Sequence, residues 1–281
     1  MCGVSTVQAP ERVKALEIGI STWSMGNPTE ALERIAEAGF KHAEIWADPY
    51  GVLDSRLDAL VSALEDYGLE ASSLHAPFTG LDISSTSEEL RSLSIKRTLD
   101  TIEIAEKLGC KHIIVHPSSG KYGKIEDYRS AQILLARSTD KLARKAEEKG
   151  LTLALENMLV NRDGLRVGTT VAELRECAES LPATNVGICL DTGHTNYNGL
   201  EVSTETRDAG DFLTDLHVND NDGSGDQHRV PGDGTINWQS FMRALKETAY
   251  NGMFMMEIYG EDQATRTLEK SYKAASRLLG Y

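Results

Sequence analysis

Between Leu216 and Gly234 the chain reads LHVNDNDGSGDQHRVPGDG, which gathers four Asp, two His and one Arg into 19 residues directly after a short apolar run. Oxygen and imidazole donors at that density can surround a cation or move protons. The rest of the chain repeats the theme more sparsely. His75 (SLHAPF), His116 (IIVHPSSG), Glu156 (LALENM), Asp191 (ICLDTGH), His217 (DLHVND) and Glu257 (MMEIYG) each close an apolar run, at separations of 41, 40, 35, 26 and 40 residues. An ionisable group fixed to so apolar a segment is costly unless it is paired or bound to a metal. Any one of these residues alone reads more readily as a hydrogen-bonded structural group or a turn former. Six in step with a single period point to one shared site. Two Glu, one Asp and one His make a mixed oxygen and nitrogen donor set that suits Mn2+, Mg2+, Co2+ or Zn2+ and lacks the sulfur that selects softer metals.

Several neighbours could serve the same site. Asp226 and His228, in Asp-Gln-His-Arg, put two ligand types close together on a glycine-rich loop. Arg229 offers a planar fork to a phosphate, carboxylate or sugar oxygen. His194, three residues after Asp191, is placed to touch a ligand. Trp23 and Trp46, near the ends of the first two strand-like runs, read equally as an apolar wall for a ring or as rim packing. Glu44 alternates with Ile45 and so faces the other way, with no role fixed by the sequence. Asp220 and Asp222 read as solvated loop acids.

The elements that must position these groups alternate along the chain. Strand-like runs cover residues 16–22, 42–47, 70–76, 111–117, 151–157, 185–191, 212–218 and 252–258. Amphipathic stretches lie between them, among them PTEALERIAEAG, LDALVSALEDYG, KRTLDTIEIAEKLG and ARSTDKLARKAEEKG, with glycine stops at Gly39, Gly68, Gly109 and Gly150. Eight strands with crossover helices pair in parallel and close a (β/α)8 barrel, whose strand C-termini converge on one mouth. An open doubly wound sheet would offer a glycine-rich phosphate turn after its first strand, and ISTWSMGNP is no such turn. The expectation is one α/β barrel domain over residues 16–281 behind a leader at 1–15.

Composition narrows the function classes. The four cysteines (Cys2, Cys110, Cys177, Cys189) are scattered with no C-x-x-C pair, which fits buried thiols in a reducing cytoplasm. No apolar run has membrane-spanning length, so no membrane partner is expected. A net charge of −14 would repel a phosphate backbone, so no nucleic-acid partner is expected.

The segments LHAPF, HPSSG, LALENM, GICLDTGH, LHVNDND, DQHRVPGDGTINW and MMEIYG resemble the xylose isomerase-like (β/α)8 superfamily, which holds sugar and sugar-phosphate isomerases and epimerases, inosose dehydratases and endonuclease IV-type abasic-site nucleases. The resemblance runs over nearly the whole chain from about residue 16. In the sugar branch it implies one divalent metal, Mn2+ foremost, on Glu156, Asp191, His217 and Glu257. It also implies substrate contacts at His194 and Arg229; Glu156 and Glu257 are expected as a catalytic pair, and His75, His116 and Trp23 as further substrate contacts. The implied reaction is proton transfer through a metal-stabilised enediolate of a small sugar or sugar phosphate, with dehydration or β-elimination as the alternative outcome. The nuclease branch implies a three-zinc cluster on His75, His116, Glu156, Asp191, His194, His217, Asp226, His228 and Glu257, all of which are present. The acidic balance and the loops ADPYGVLDS and APFTGLDISS favour the sugar branch. A second Glu that ketose 3-epimerases carry shortly after the strand-five Glu has no counterpart in NMLVNRDG. Barrels of this kind often pair through helical faces, so a homo-oligomer is expected, with no stretch that locates its interface.

Overall fold

The structure, a computed structural model, describes residues 15–48, 56–259 and 265–281. The expected leader falls outside these but for its last residue, as does most of the loop after the second strand.

All eight expected strands form, each within two residues of its expected bounds: β1 (Glu17–Ser21), β2 (His42–Trp46), β3 (Glu70–His75), β4 (His112–Val115), β5 (Thr152–Glu156), β6 (Val186–Asp191), β7 (Leu213–His217) and β8 (Met253–Met256). They pair in parallel in the order β7-β6-β5-β4-β3-β2-β1-β8. The ends of that sheet meet: Val218 N donates to Met255 O at 2.8 Å and Glu257 N to Val218 O at 3.2 Å, closing the ring.

Helices follow the strands: α1 (Pro28–Glu37), α2 (Leu57–Tyr67), α3 (Glu88–Lys107), α4 (Ile125–Glu148), α5 (Val171–Glu179), α6 (Thr192–Tyr197), α7 (Val202–Ala209), α8 (Trp238–Glu247) and α9 (Thr265–Leu279). Local chemistry sets their ends. Asn27 accepts from Thr29 N ahead of Pro28 at the start of α1, and Gly68 ends α2 in the left-handed region at φ 62°. Helix α3 starts eight residues before the stretch expected from periodicity, because Ser87 caps Leu90 N and Glu88 and Glu89 fill the first turn. None of the helices among the described residues is long and apolar enough to cross a membrane.

The main apolar core lies between sheet and helices, with Leu32, Ile35, Phe40, Ile113, Leu153 and Phe241 wholly buried. Side chains of alternate parity point inward. Ile114, Ala154 and Cys189 form a separate small cluster on β4, β5 and β6, each two residues before His116, Glu156 or Asp191. Cys110, Cys177 and Cys189 are free and buried, as expected of inert thiols.

Two register shifts aim the inward set. Opposite β2 the pairing runs Ala43 with Ala71, then Glu44 with Ser73, so that Ser72 is the extra residue. Opposite β6 it runs Ile188 with Leu213, then Cys189 with Asp215, skipping Thr214, and this brings Asp191 level with His217. Bulges of this kind re-aim side chains next to functional sites.

Candidate metal centre and active site

The loop after β7 is built on Asp220. Its side chain is wholly buried, which corrects the expectation of a solvated acid. The carboxylate accepts from the backbone N–H of Gly232, Gly234 and Ile236, at 2.9, 3.1 and 3.3 Å, and from the Trp238 indole at 2.9 Å. Asp220 and Arg229 also exchange two backbone hydrogen bonds of 2.8 Å. This pins the loop so that His228 faces the barrel mouth at a strained φ of 41°. Replacing Asp220 with Ala strands these donors, at about 1–3 kcal/mol for each buried unsatisfied group. The Asp220→Ala protein is expected to melt about 10 °C or more below the parent, and a thermal scan checks it. Asp222, by contrast, is exposed and pairs with Arg229 at 2.9 Å.

Three groups of ligand-type side chains converge inside the mouth. At the centre, Glu156, Asp191, His217 and Glu257 place one ligand atom each within 4.8 Å of one another. All four are at most 3 % exposed. His217 Nδ1 lies 3.2 Å from Glu156 Oε1 and 3.4 Å from Glu257 Oε2, with no hydrogen-bond partner of its own. Asp191 caps α6, accepting from His194 N at 2.6 Å, and its other oxygen accepts from Asn219 Nδ2 at 2.9 Å. Gly193 allows that contact, since a Cβ there would lie 1.8 Å from Asn219 Oδ1.

On one flank, His75 Nε2 and His116 Nε2 each lie 3.1 Å from Glu156 Oε2. Glu156 thus serves two groups, one oxygen to each. On the other flank, Asp226 sits between His228 Nε2 at 3.2 Å and His194 Nε2 at 3.7 Å. Three of these imidazoles are oriented alike: Nδ1 donates to a backbone carbonyl (Ala76 for His75, Asn157 for His194, Glu257 for His228) and Nε2 faces the acid. That is the orientation of a histidine held ready for a metal.

The electrostatics follow from packing so many ionisable groups out of water. Burial pushes Glu257 up to about 7, with Glu156 and Asp191 adding to the rise and His217 and His228 opposing it. Burial alone would lower His217, but the acidic groups around it, Glu257, Glu44 and Glu156 among them, hold it well above its ordinary value. Burial is likewise outweighed at His194, raised to about 10 chiefly by Asp191 and Asp226, and at His228, raised to about 9 by Asp226 and Glu257. His116 goes the other way, pushed down to about 4 by burial. A divalent cation would compensate the central carboxylates in place of these protons, and three carboxylates with one unpartnered imidazole nitrogen fit such an ion.

A cavity of about 180 Å³ opens over the groups. Trp23, Trp46 and Phe78 give it an aromatic lining, with Trp23 and Trp46 centroids 6.2 Å apart, and Glu156, Glu257 and His194 belong to its polar lining. A larger cavity, about 820 Å³, opens at the N-terminal ends of the strands among Glu17, His42 and His112. It lacks the convergent donors, and that end of a barrel serves stability.

Of the sequence-derived site residues, His75, His116, Glu156, Asp191, His194, His217, Asp226, His228 and Glu257 come together, and Trp23 lines the cavity. Arg229 does not: its guanidinium is spent on Asp222 and on Asp233 O. The guanidinium in the cavity wall is that of Arg166, held by Ser118 O at 2.8 Å and Leu159 O at 3.4 Å. Its signal in the sequence is its place in the loop after β5, on the face where the strand ends converge.

The pattern of the xylose isomerase-like TIM barrel family matches residues 32–279. The chain is 26% identical to D-psicose 3-epimerase of Ruminiclostridium cellulolyticum, over 80% of this chain and 76% of that protein. It is also 26% identical to a probable endonuclease 4 of Aquifex aeolicus, over 72% of this chain and 74% of that one. Among solved structures, a D-tagatose 3-epimerase-like protein superposes with a TM-score of 0.83 at 26% identity, covering 94% of this chain and 98% of its own.

Proposed function

Because the chain belongs to the xylose isomerase-like TIM barrel family, we propose that it is a divalent-metal-dependent isomerase or epimerase of a small sugar or sugar phosphate. The observation that carries this reading is the placement of two buried carboxylates, Glu156 and Glu257, about the His217 Nδ1 in the lining of a 180 Å³ cavity. That volume is below the range of drug-sized sites and suits a ligand of monosaccharide scale. The epimerase relatives support the same class.

Glu156, Asp191, His217 and Glu257 would hold the ion, and Mn2+ is the ion we assign to this oxygen-rich set. Bound there, a divalent cation supplies Lewis-acid stabilisation to negative charge developing on a carbonyl oxygen. The chain's own groups do the rest. Glu156, where burial is outweighed by His217 and His116, which hold the carboxyl well below its usual range, takes a carbon-bound proton. Glu257 returns a proton to a neighbouring carbon or to the opposite face, and both carboxyls re-equilibrate with solvent before the next turnover. The Trp23 and Trp46 rings pack a sugar face and exclude water, while His194 and Arg166 donate to substrate oxygens. Expulsion of a leaving group in place of reprotonation would make the same site a dehydratase.

A second reading has its own observation. The two flanking groups, His75 with His116 and His194 with Asp226 and His228, complete three metal-type sets, two of which share Glu156, an arrangement suited to phosphodiester hydrolysis on three zincs. Metal analysis and two assays separate the readings. The sugar reading expects one tightly held Mn2+ per chain and solvent deuterium incorporated into a ketose. Three zincs per chain with nicking of abasic DNA, and no deuterium entering any ketose, would replace it with the nuclease.

A further inference from the structure

We infer that Glu44 is a positioning residue for the metal centre: together with Ser73 it ties down Nε2 of His217, so that Nδ1 alone is presented to the ion. The inference rests on the metal reading of the site and adds to it a group that lies behind one of the four donors.

Glu44, Ser73 and His217 lie on β2, β3 and β7 and are wholly buried. Glu44 Oε2 accepts from Ser73 Oγ at 2.8 Å and from His217 Nε2 at 3.2 Å. His217 is thereby the exception among the site's oriented imidazoles: its Nε2 is tied, by a carboxylate and not a carbonyl, and Nδ1 is left facing Glu156 and Glu257. The backbone is arranged for this contact. The register shift at Ser72 sets Ser73 beside Glu44, so the hydroxyl and the imidazole hold the same carboxylate oxygen. A carboxylate in the interior of a barrel is otherwise a liability, since a buried charge without compensation is strongly destabilising. One behind a ligating histidine fixes the ring and raises its basicity as a donor.

The test is metal affinity and donor-atom identity. Against a competing chelator, Glu44→Gln is expected to bind Mn2+ about 10–100-fold more weakly than the parent, with Ser73→Ala between the two. The metal-free proteins are compared by circular dichroism and thermal melting, so a loss of fold is not read as a loss of affinity. In the unaltered protein loaded with cadmium-113 and carrying nitrogen-15 histidine, the cadmium coupling at His217 is expected on Nδ1. Coupling on Nε2, or a folded Glu44→Gln protein binding within about twofold of the parent, overturns the inference and leaves the metal site standing. An unaltered protein that takes up no divalent ion overturns the metal reading and this inference with it.

Discussion

Glu257→Gln is expected to lower kcat by about 10³-fold or more while the protein stays folded, because a positioned acid or base accounts for about 10²–10⁴-fold of rate and this one is also a ligand. Gln is isosteric with Glu, so the aromatic wall and the loop beneath His228 keep their packing. Its amide neither gives nor takes a proton at neutral pH, so no group at that position can carry a proton to or from carbon. Glu156→Gln is expected to be as damaging for a further reason. Its two oxygens face different groups, Oε1 toward His217 and Oε2 toward His75 and His116. One substitution therefore disturbs both the central site and its flank. Steady-state kinetics on a responding ketose, with metal content measured on the same samples, separate lost chemistry from lost ion. Near-full activity in either variant would refute the acid–base pair.

Metal uptake is expected to expel protons and to strengthen steeply as pH rises. In the metal-free protein His217 is held well above its ordinary value, because burial is outweighed by the acidic groups around it. Glu257, raised to about 7, is itself partly protonated near neutrality. A ligand must shed its proton before it can bind. A raised pKa extends that competition to higher pH, so affinity is weakest in acid and climbs until the raised groups have titrated. Each group that loses one full proton contributes a slope of up to about one decade per pH unit. Calorimetric titration with Mn2+ in buffers of different ionisation heat measures the protons released. Affinity that stays flat between about pH 6 and 8 would contradict the protonation pattern.

Much of this site was legible because a barrel converts a linear period into convergence. His75, Glu156, Asp191 and His217 end their strands, and His116 and Glu257 follow theirs by one residue; an apolar run stopped by an ionisable residue is visible in any sequence. Less legible was whatever depends on register. Glu44 could be given an inward direction by alternation but not a partner, since its pairing with Ser73 passes through the extra residue at Ser72. Alternation within one strand says nothing about where a neighbouring strand shifts.

Loops hid more. Asp220 lies among acids of which Asp222 is exposed, and only the fold of residues 220–238 separates the buried anchor from the solvated one. Arg229, next to the Asp-x-His pair in sequence, turns away to Asp222, and Arg166 from another loop takes the cavity wall. Adjacency in sequence places a residue in the same loop but does not set its direction.

The account stands on four donors from four strands meeting at one ion, and anomalous diffraction from crystals grown with Mn2+ tests that directly. The expected result is a peak about 2.0–2.3 Å from carboxylate oxygens of Glu156, Asp191 and Glu257 and from Nδ1 of His217. A manganese peak elsewhere on the protein, with these four side chains touching no ion, would contradict it.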